Sequence, residues 1–432
     1  MGLIAPKSRA VALTAASLLA LLVAACGGAE PTSPAMATAL RIALAPHVGT
    51  APVDDRIREA QTMVKGRPDV GRIERLATLF VGKARSSGDP GYYRLAEACA
   101  DGMPRDHGGE HAALLVRGHV RHALHDFGAA EAIARRLVAE RGMFLDHGLL
   151  GDVLLDLGRL EEARTVYQTM LDQKPCLQSY ARAAHVRWLV GDLAGSRELL
   201  RLAASAGSHR DPESMAWVLA RRATVELQAN EPRRALEYAD QALEQVADHP
   251  QGLLARGRAL LALDDAAGAN ESFGKAVACY PLPEYLWAHA DALRKLGKSD
   301  VAAEVEGELV RTGEREDPRT FAAWLVTKGR ETALALRLAE AEFLVRQDAH
   351  TLDVLATARL RNGDVDGAAA AMQRALAFVP ADARVRLHAG LVAEAHGNRD
   401  AARAHAAAAT AAMAALLPSE REWLAELQAR LL

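Results

Sequence analysis

The sequence predicts an all-α protein, a solenoid of stacked two-helix units, and three observations carry that expectation. Hydrophobic residues make up 50 % of the 432-residue chain but aromatics only 4 %. Alanine and leucine dominate the apolar share, and both favour helix over strand. Next, Gly158, Gly191, Asn230, Asp264, Gly297, Gly329, Gly363 and Gly397 recur at separations of 33, 39, 34, 33, 32, 34 and 34 residues. That is the period of a helix–turn–helix unit whose turn residue adopts the left-handed conformation that ends a helix. Finally, Ala163, Ser196, Ala235, Ala269, Ala302, Ala368 and Ala402 keep the same phase. Small residues are needed where two helices cross closely. Separate bundles would not hold this phase over about 240 residues.

The elements follow in order from the N-terminus. Lys7 and Arg9 precede an apolar stretch, Val11 to Ala25, that is short for a membrane span and suits a signal-peptide core. It closes on Val23-Ala24-Ala25-Cys26-Gly27, which resembles the bacterial lipobox. The resemblance implies a signal peptide at 1–25 and a diacylglyceryl group on Cys26, with Gly27 directing the protein to the outer membrane, facing the periplasm. The alternative is a plain secretory signal in which Cys26 is incidental. Small residues and prolines predict a flexible tether over 26–53. A helix is expected from Asp54-Asp55, where acids favour a helix N-terminus, to just before Pro68.

The repeats then run from about 71 to 416, within a body spanning 54–432. Gln251 to Pro281 carries Gly257, Ala269, Phe273, Ala276 and Pro281 in order, and Met143 to Pro175 carries Gly151, Ala163, Tyr167 and Pro175. This series resembles the tetratricopeptide repeat (TPR) family. The resemblance implies a right-handed superhelix of about ten helix pairs, with the first helix of each pair lining a concave groove. It also implies a scaffold that binds proteins or peptides and performs no chemistry itself. After Pro418, Trp423, Leu424, Leu427 and Leu431 share one helical face behind a Ser419 cap, which predicts a capping helix over 418–431.

Little in the sequence points to chemistry. It has no phosphate-cradling glycine loop, nucleophile elbow or HExxH motif, and no cofactor is expected. A net charge of −3 argues against a nucleic-acid surface. Cys99, Cys176 and Cys279 are far apart and lack metal-like spacing. Asp264-Asp265 and Asp364-Asp366 read as helix caps. The segment 107–125 is rich in histidine (His107, His111, His119, His122 and His125), and a metal-handling or enzymatic envelope protein is the alternative reading. The tryptophans, Trp217 among them, are core residues by default, apart from two that the family frame places in the groove. On that frame the groove takes Arg182, His185, Trp188, Arg221, Thr224, Arg258, Trp287, Asp291 and Arg294. Arginine forks beside indoles suit carboxylates or an extended peptide, although the arginines could equally be solvated or paired with neighbouring acids. The lysine and asparagine clamp of chaperone-binding TPRs is not matched here. The expected partners are cell-envelope proteins or peptides, with the membrane reached through the lipid anchor.

Overall fold

A computed structural model describes residues 33–432 apart from positions 107 and 209. The signal-peptide span, Cys26 and His107 therefore lie outside the described residues. Among the described residues the chain forms twenty-three α-helices and no strand. Two helices lead, α1 (Pro34–Ala43) and α2 (Pro52–Gly66). Ten pairs follow, beginning with α3 (Val70–Ser87) and α4 (Gly91–Asp101), α5 (Gly109–Ala123) and α6 (Phe127–Glu140), and α7 (Phe144–Asp156) and α8 (Leu160–Gln173). The middle pairs are α9 (Leu177–Leu189) and α10 (Leu193–Ser205), α11 (Pro212–Gln228) and α12 (Pro232–Gln245), and α13 (Pro250–Ala262) and α14 (Ala266–Cys279). Then come α15 (Pro283–Lys295) and α16 (Ser299–Glu316), and α17 (Pro318–Lys328) and α18 (Thr332–Val345). The last are α19 (Ala349–Arg361) and α20 (Val365–Phe378), and α21 (Ala383–Ala395) and α22 (Arg399–Ala411). A 3-10 turn at Met413–Ala415 precedes the final helix, α23 (Pro418–Leu431).

The turns explain the period. All eight expected turn residues have positive φ, from +59° at Asn230 to +83° at Gly191, Gly363 and Gly397. His125, at +60°, ends a helix in the same way in an earlier repeat. A capping side chain then starts the second helix. Asp192, Asp265, Asp364 and Asn398 each accept the backbone N–H three residues on, at 2.8–3.0 Å. Inside each pair the small positions let the helices touch. A Cβ on Gly151 would sit 2.2 Å from the Tyr167 ring, and one on Gly257 2.4 Å from the Phe273 ring. The aromatic side chain of the second helix thus lies directly on the backbone of the first.

Two expectations need correction. The span 26–53 is not a tether throughout, because α1 belongs to the folded body. Ser33 caps it by accepting from the Met36 N–H at 3.3 Å, and Ala43 is fully buried. The Gln61 amide clamps its C-terminus by donating to the carbonyls of Ala43 and Ala45 at 2.9 and 2.8 Å. Met36, Ala39, Leu40 and Ala43 form a helical stripe that small, weakly apolar residues disguise as linker. The second correction concerns α23. Its N-cap is Leu417, whose N–H is accepted by Glu420 at 2.7 Å. Ser419 is committed to another helix instead.

The solenoid also winds back onto itself. Gln347 donates its backbone N–H to the Asp156 carbonyl at 2.8 Å, and Arg346 pairs with the Asp156 carboxylate at 3.2 Å. Further along, the Gln228 amide donates to Asp382 at 2.8 Å and accepts from the Ala383 N–H at 3.1 Å. Asn230 accepts from the Ala414 N–H at 3.1 Å. At the C-terminal end the first helices α15, α17, α19, α21 and the final α23 form a ring, each touching the next and α23 returning to α15.

Candidate binding wall on the first helices

The groove residues expected from sequence divide into three groups. Arg182 on α9 is locked to Asp152 on α7 by two parallel hydrogen bonds of 2.8 and 2.7 Å. Tyr167 donates to the same carboxylate at 2.7 Å. Burial alone would raise the Asp152 carboxyl, but the adjacent Arg182 guanidinium holds it well below the usual carboxylate range. Arg258 on α13 donates to Glu284 on α15 at 2.8 Å, and its buried Nε has no partner. These arginines chiefly bind one repeat to the next.

The second group is the C-terminal ring, where the expected open groove is closed. Trp287 and Asp291 are each 2 % exposed. The Trp287 indole N–H donates to Ser419 Oγ at 3.2 Å. Asp291 accepts from the Ser419 hydroxyl at 2.5 Å and backbone N–H at 3.1 Å, and pairs with Lys328 at 3.1 Å. Arg294 is forked onto Glu306. Trp287 and Asp291 therefore do not line a channel, whereas Arg294 stays exposed beside Glu306. Helix α23 occupies their face because its Ser419, Trp423 and Leu427 complete the core there.

The third group, on α9 and α11, is the most informative. Trp188 is buried, with its ring stacked on His185 (5.4 Å between centroids, 24° between planes) and on His350 of α19 (5.9 Å, 26°). Trp188 thus joins successive turns of the solenoid instead of facing a ligand. Arg221 Nη2 lies 3.1 Å from His185 Nδ1. A guanidinium can only donate, so Nδ1 accepts and the imidazole is neutral. Burial, reinforced by Arg221, lowers the His185 pKa to about 3. The Arg221 guanidinium carbon lies 5.9 Å from the Trp188 centroid. Thr224 turns its hydroxyl back to the Ala220 carbonyl at 3.1 Å.

One wall residue departs from the sequence expectation. Trp217, expected in the core, is 40 % exposed. It precedes Arg221 by one helical turn, and positions 217, 221 and 224 fall on one stripe of α11. The signal is present in that spacing, but a tryptophan in an apolar helix is core by default.

The histidine-rich segment does not converge. His111 pairs with Glu140 at 3.0 Å, and His122 with Asp156 at 2.7 Å. His125 stacks on Phe127 at 5.4 Å. Burial lowers the His119 pKa to about 3. Among the described residues no three His, Cys, Asp or Glu side chains are grouped to hold a metal ion, and no helix is long and apolar enough to cross a membrane.

Stacked helix pairs that present their first helices on a shared wall define a repeat scaffold. The tetratricopeptide repeat family model matches residues 113–176, 149–214, 220–282 and 354–415. Together these spans exceed half of the chain, which belongs to that family. No curated relative matches it. Among solved structures it is similar to a Rap protein complexed with competence and sporulation factor, at 13 % identity over 76 % of this chain and 99 % of that one, TM-score 0.47. It is also similar to a human IFIT1 dimer at 12 % identity, 87 % and 93 % coverage and TM-score 0.47. Pseudomonas aeruginosa pilF is similar at 16 % identity, 46 % and 90 % coverage and TM-score 0.40. These likenesses are of fold alone.

Proposed function

We propose that this protein is a non-enzymatic scaffold of the cell envelope. It holds a segment of another protein against the wall formed by the first helices α5 to α13, while a lipid on Cys26 keeps it at a membrane. TPR folds bind proteins or peptides, and they do so through an extended surface shaped by the stacked repeats. The observation that carries the reading is the stripe on α11. Trp217 there is a large apolar side chain left open to solvent, whereas the tryptophans Trp188 and Trp287 of other first helices are buried. A half-exposed indole on a concave wall is what an interface anchor requires. The membrane anchor rests on the lipobox-like sequence alone.

The test places a photo-crosslinking amino acid at position 217 in living cells, with position 344 on α18 as a control. Leu344 is 82 % exposed and lies on a second helix. A discrete envelope protein captured from 217 and not from 344 supports the wall. Equal capture from both, or from neither, overturns it. Loss of membrane association in Cys26→Ser tests the anchor separately.

A further inference from the structure

This inference rests on the binding role above and concerns what the wall selects. Guanidinium groups are frequent on the first helices, and many are matched to acids. Arg182 meets Asp152, Arg258 meets Glu284, and Arg294 meets Glu306. Arg319 meets Asp348, and Arg384 meets Glu420. Among the described residues Arg386 on α21 meets only the His405 imidazole and a backbone carbonyl, and Arg221 is placed alike. Its hydrogen bond goes to a neutral imidazole, His185, and among the described residues no carboxylate lies within ion-pair reach. Half-buried on the wall, it keeps its charge in surroundings that solvate it poorly.

We propose that Arg221 and Trp217 form a subsite for a carboxylate carried by an extended peptide, with an apolar side chain of that peptide lying on the indole. His185 and Trp188 hold the guanidinium in place, one through a hydrogen bond and the other under its face. The remaining N–H groups of the fork are then available to a planar, doubly accepting carboxylate. Trp217, one turn away on the same stripe, supplies apolar area at low entropic cost. A cationic peptide would meet Arg221 with like charge, and the acid whose field reaches it, Glu284, is already paired with Arg258.

The probe is a fluorescein-labelled nonapeptide, three Gly-Leu-Glu repeats, read by fluorescence anisotropy against the purified full-length protein. The counterpart with lysine replacing glutamate is the charge control, and C-terminal amidation separates a terminal from a side-chain carboxylate. The glutamate peptide is expected to bind and the lysine peptide not. Arg221→Gln should weaken binding at least tenfold and Trp217→Ala several-fold, with helical content by circular dichroism unchanged. Arg221→Lys keeps the charge and loses the fork, so it should fall between, and it replaces Arg221→Gln if that variant unfolds. An amidated peptide that binds as well as the free acid assigns the side-chain carboxylate, and loss on amidation assigns the terminus. Equal binding of the two charges, unchanged affinity in Arg221→Gln, or no binding of the glutamate peptide overturns the subsite. Capture of one partner at position 217 despite such a result would leave the scaffold role standing and remove only its acidic preference.

Discussion

Ser419 meets Asp291 across 128 positions of sequence, its hydroxyl and its backbone N–H both donating to one carboxylate oxygen. That oxygen belongs to α15, and the serine opens α23, so one residue seals the C-terminal ring. Ser419→Ala removes the hydroxyl from a buried acid and from the Trp287 indole N–H together. A buried polar group left without its partner costs about 1–3 kcal/mol. The expected result is a lower urea midpoint together with faster amide exchange in α23, read by hydrogen-exchange mass spectrometry. Unchanged exchange there would show that packing alone holds the helix.

Gly257 tests the repeat geometry. A side chain there would press on the Phe273 ring, whose edge lies 2.4 Å from where a Cβ would stand. Gly257→Val should destabilise by about 1–3 kcal/mol, the usual cost of overpacking, seen as a lower melting temperature. A second change, Phe273→Leu, should recover some of the loss.

Two half-buried histidines contribute a pH dependence. His185 stays neutral in the folded protein down to about pH 3, whereas an unfolded imidazole takes its proton near 6.5. The unfolded chain therefore binds the extra proton between those values. Stability is complete above about pH 6.5 and falls as the pH drops toward 3. His119, lowered to about 3, acts in the same sense. Each contributes about 1.4 kcal/mol per pH unit in that window. Urea titrations at pH 7, 6 and 5 should show the decline, and His185→Gln should flatten it by about one proton.

Tryptophan fluorescence offers a simple check on the wall. Trp188, Trp287, Trp324 and Trp423 are at most 9 % exposed, against 40 % for Trp217. Acrylamide quenching should be dominated by Trp217 and nearly vanish in Trp217→Phe. Strong residual quenching would mean that the ring or the Trp188 stack is open in solution.

The helix pairs are legible in the sequence because their causes are local. A left-handed turn residue, a capping acid after it and small residues at the crossing leave a mark every 34 residues or so. Helix α1 is not legible in the same way, because half of its apolar stripe is alanine, which reads equally as linker. The groove is harder, for a different reason. Residues such as Trp287 and Asp291 occupy the repeat position that faces inward, and sequence phase alone cannot reveal that α23 comes back to fill that space. Trp188 is hidden for the same cause: His350, 162 positions beyond it, covers its ring.

Repeat arrays ordinarily behave as one-dimensional chains in which each unit answers only to its neighbours, so they can fray from an end and lose units singly. The bonds from Gln347 to Asp156 and from Gln228 to Asp382 give this array long-distance obligations. Early units emerging from the ribosome must wait for sequence far downstream before their inner surfaces are covered. Such non-local closure slows folding and sharpens unfolding. It also makes truncation from the C-terminus an injury to the middle of the molecule.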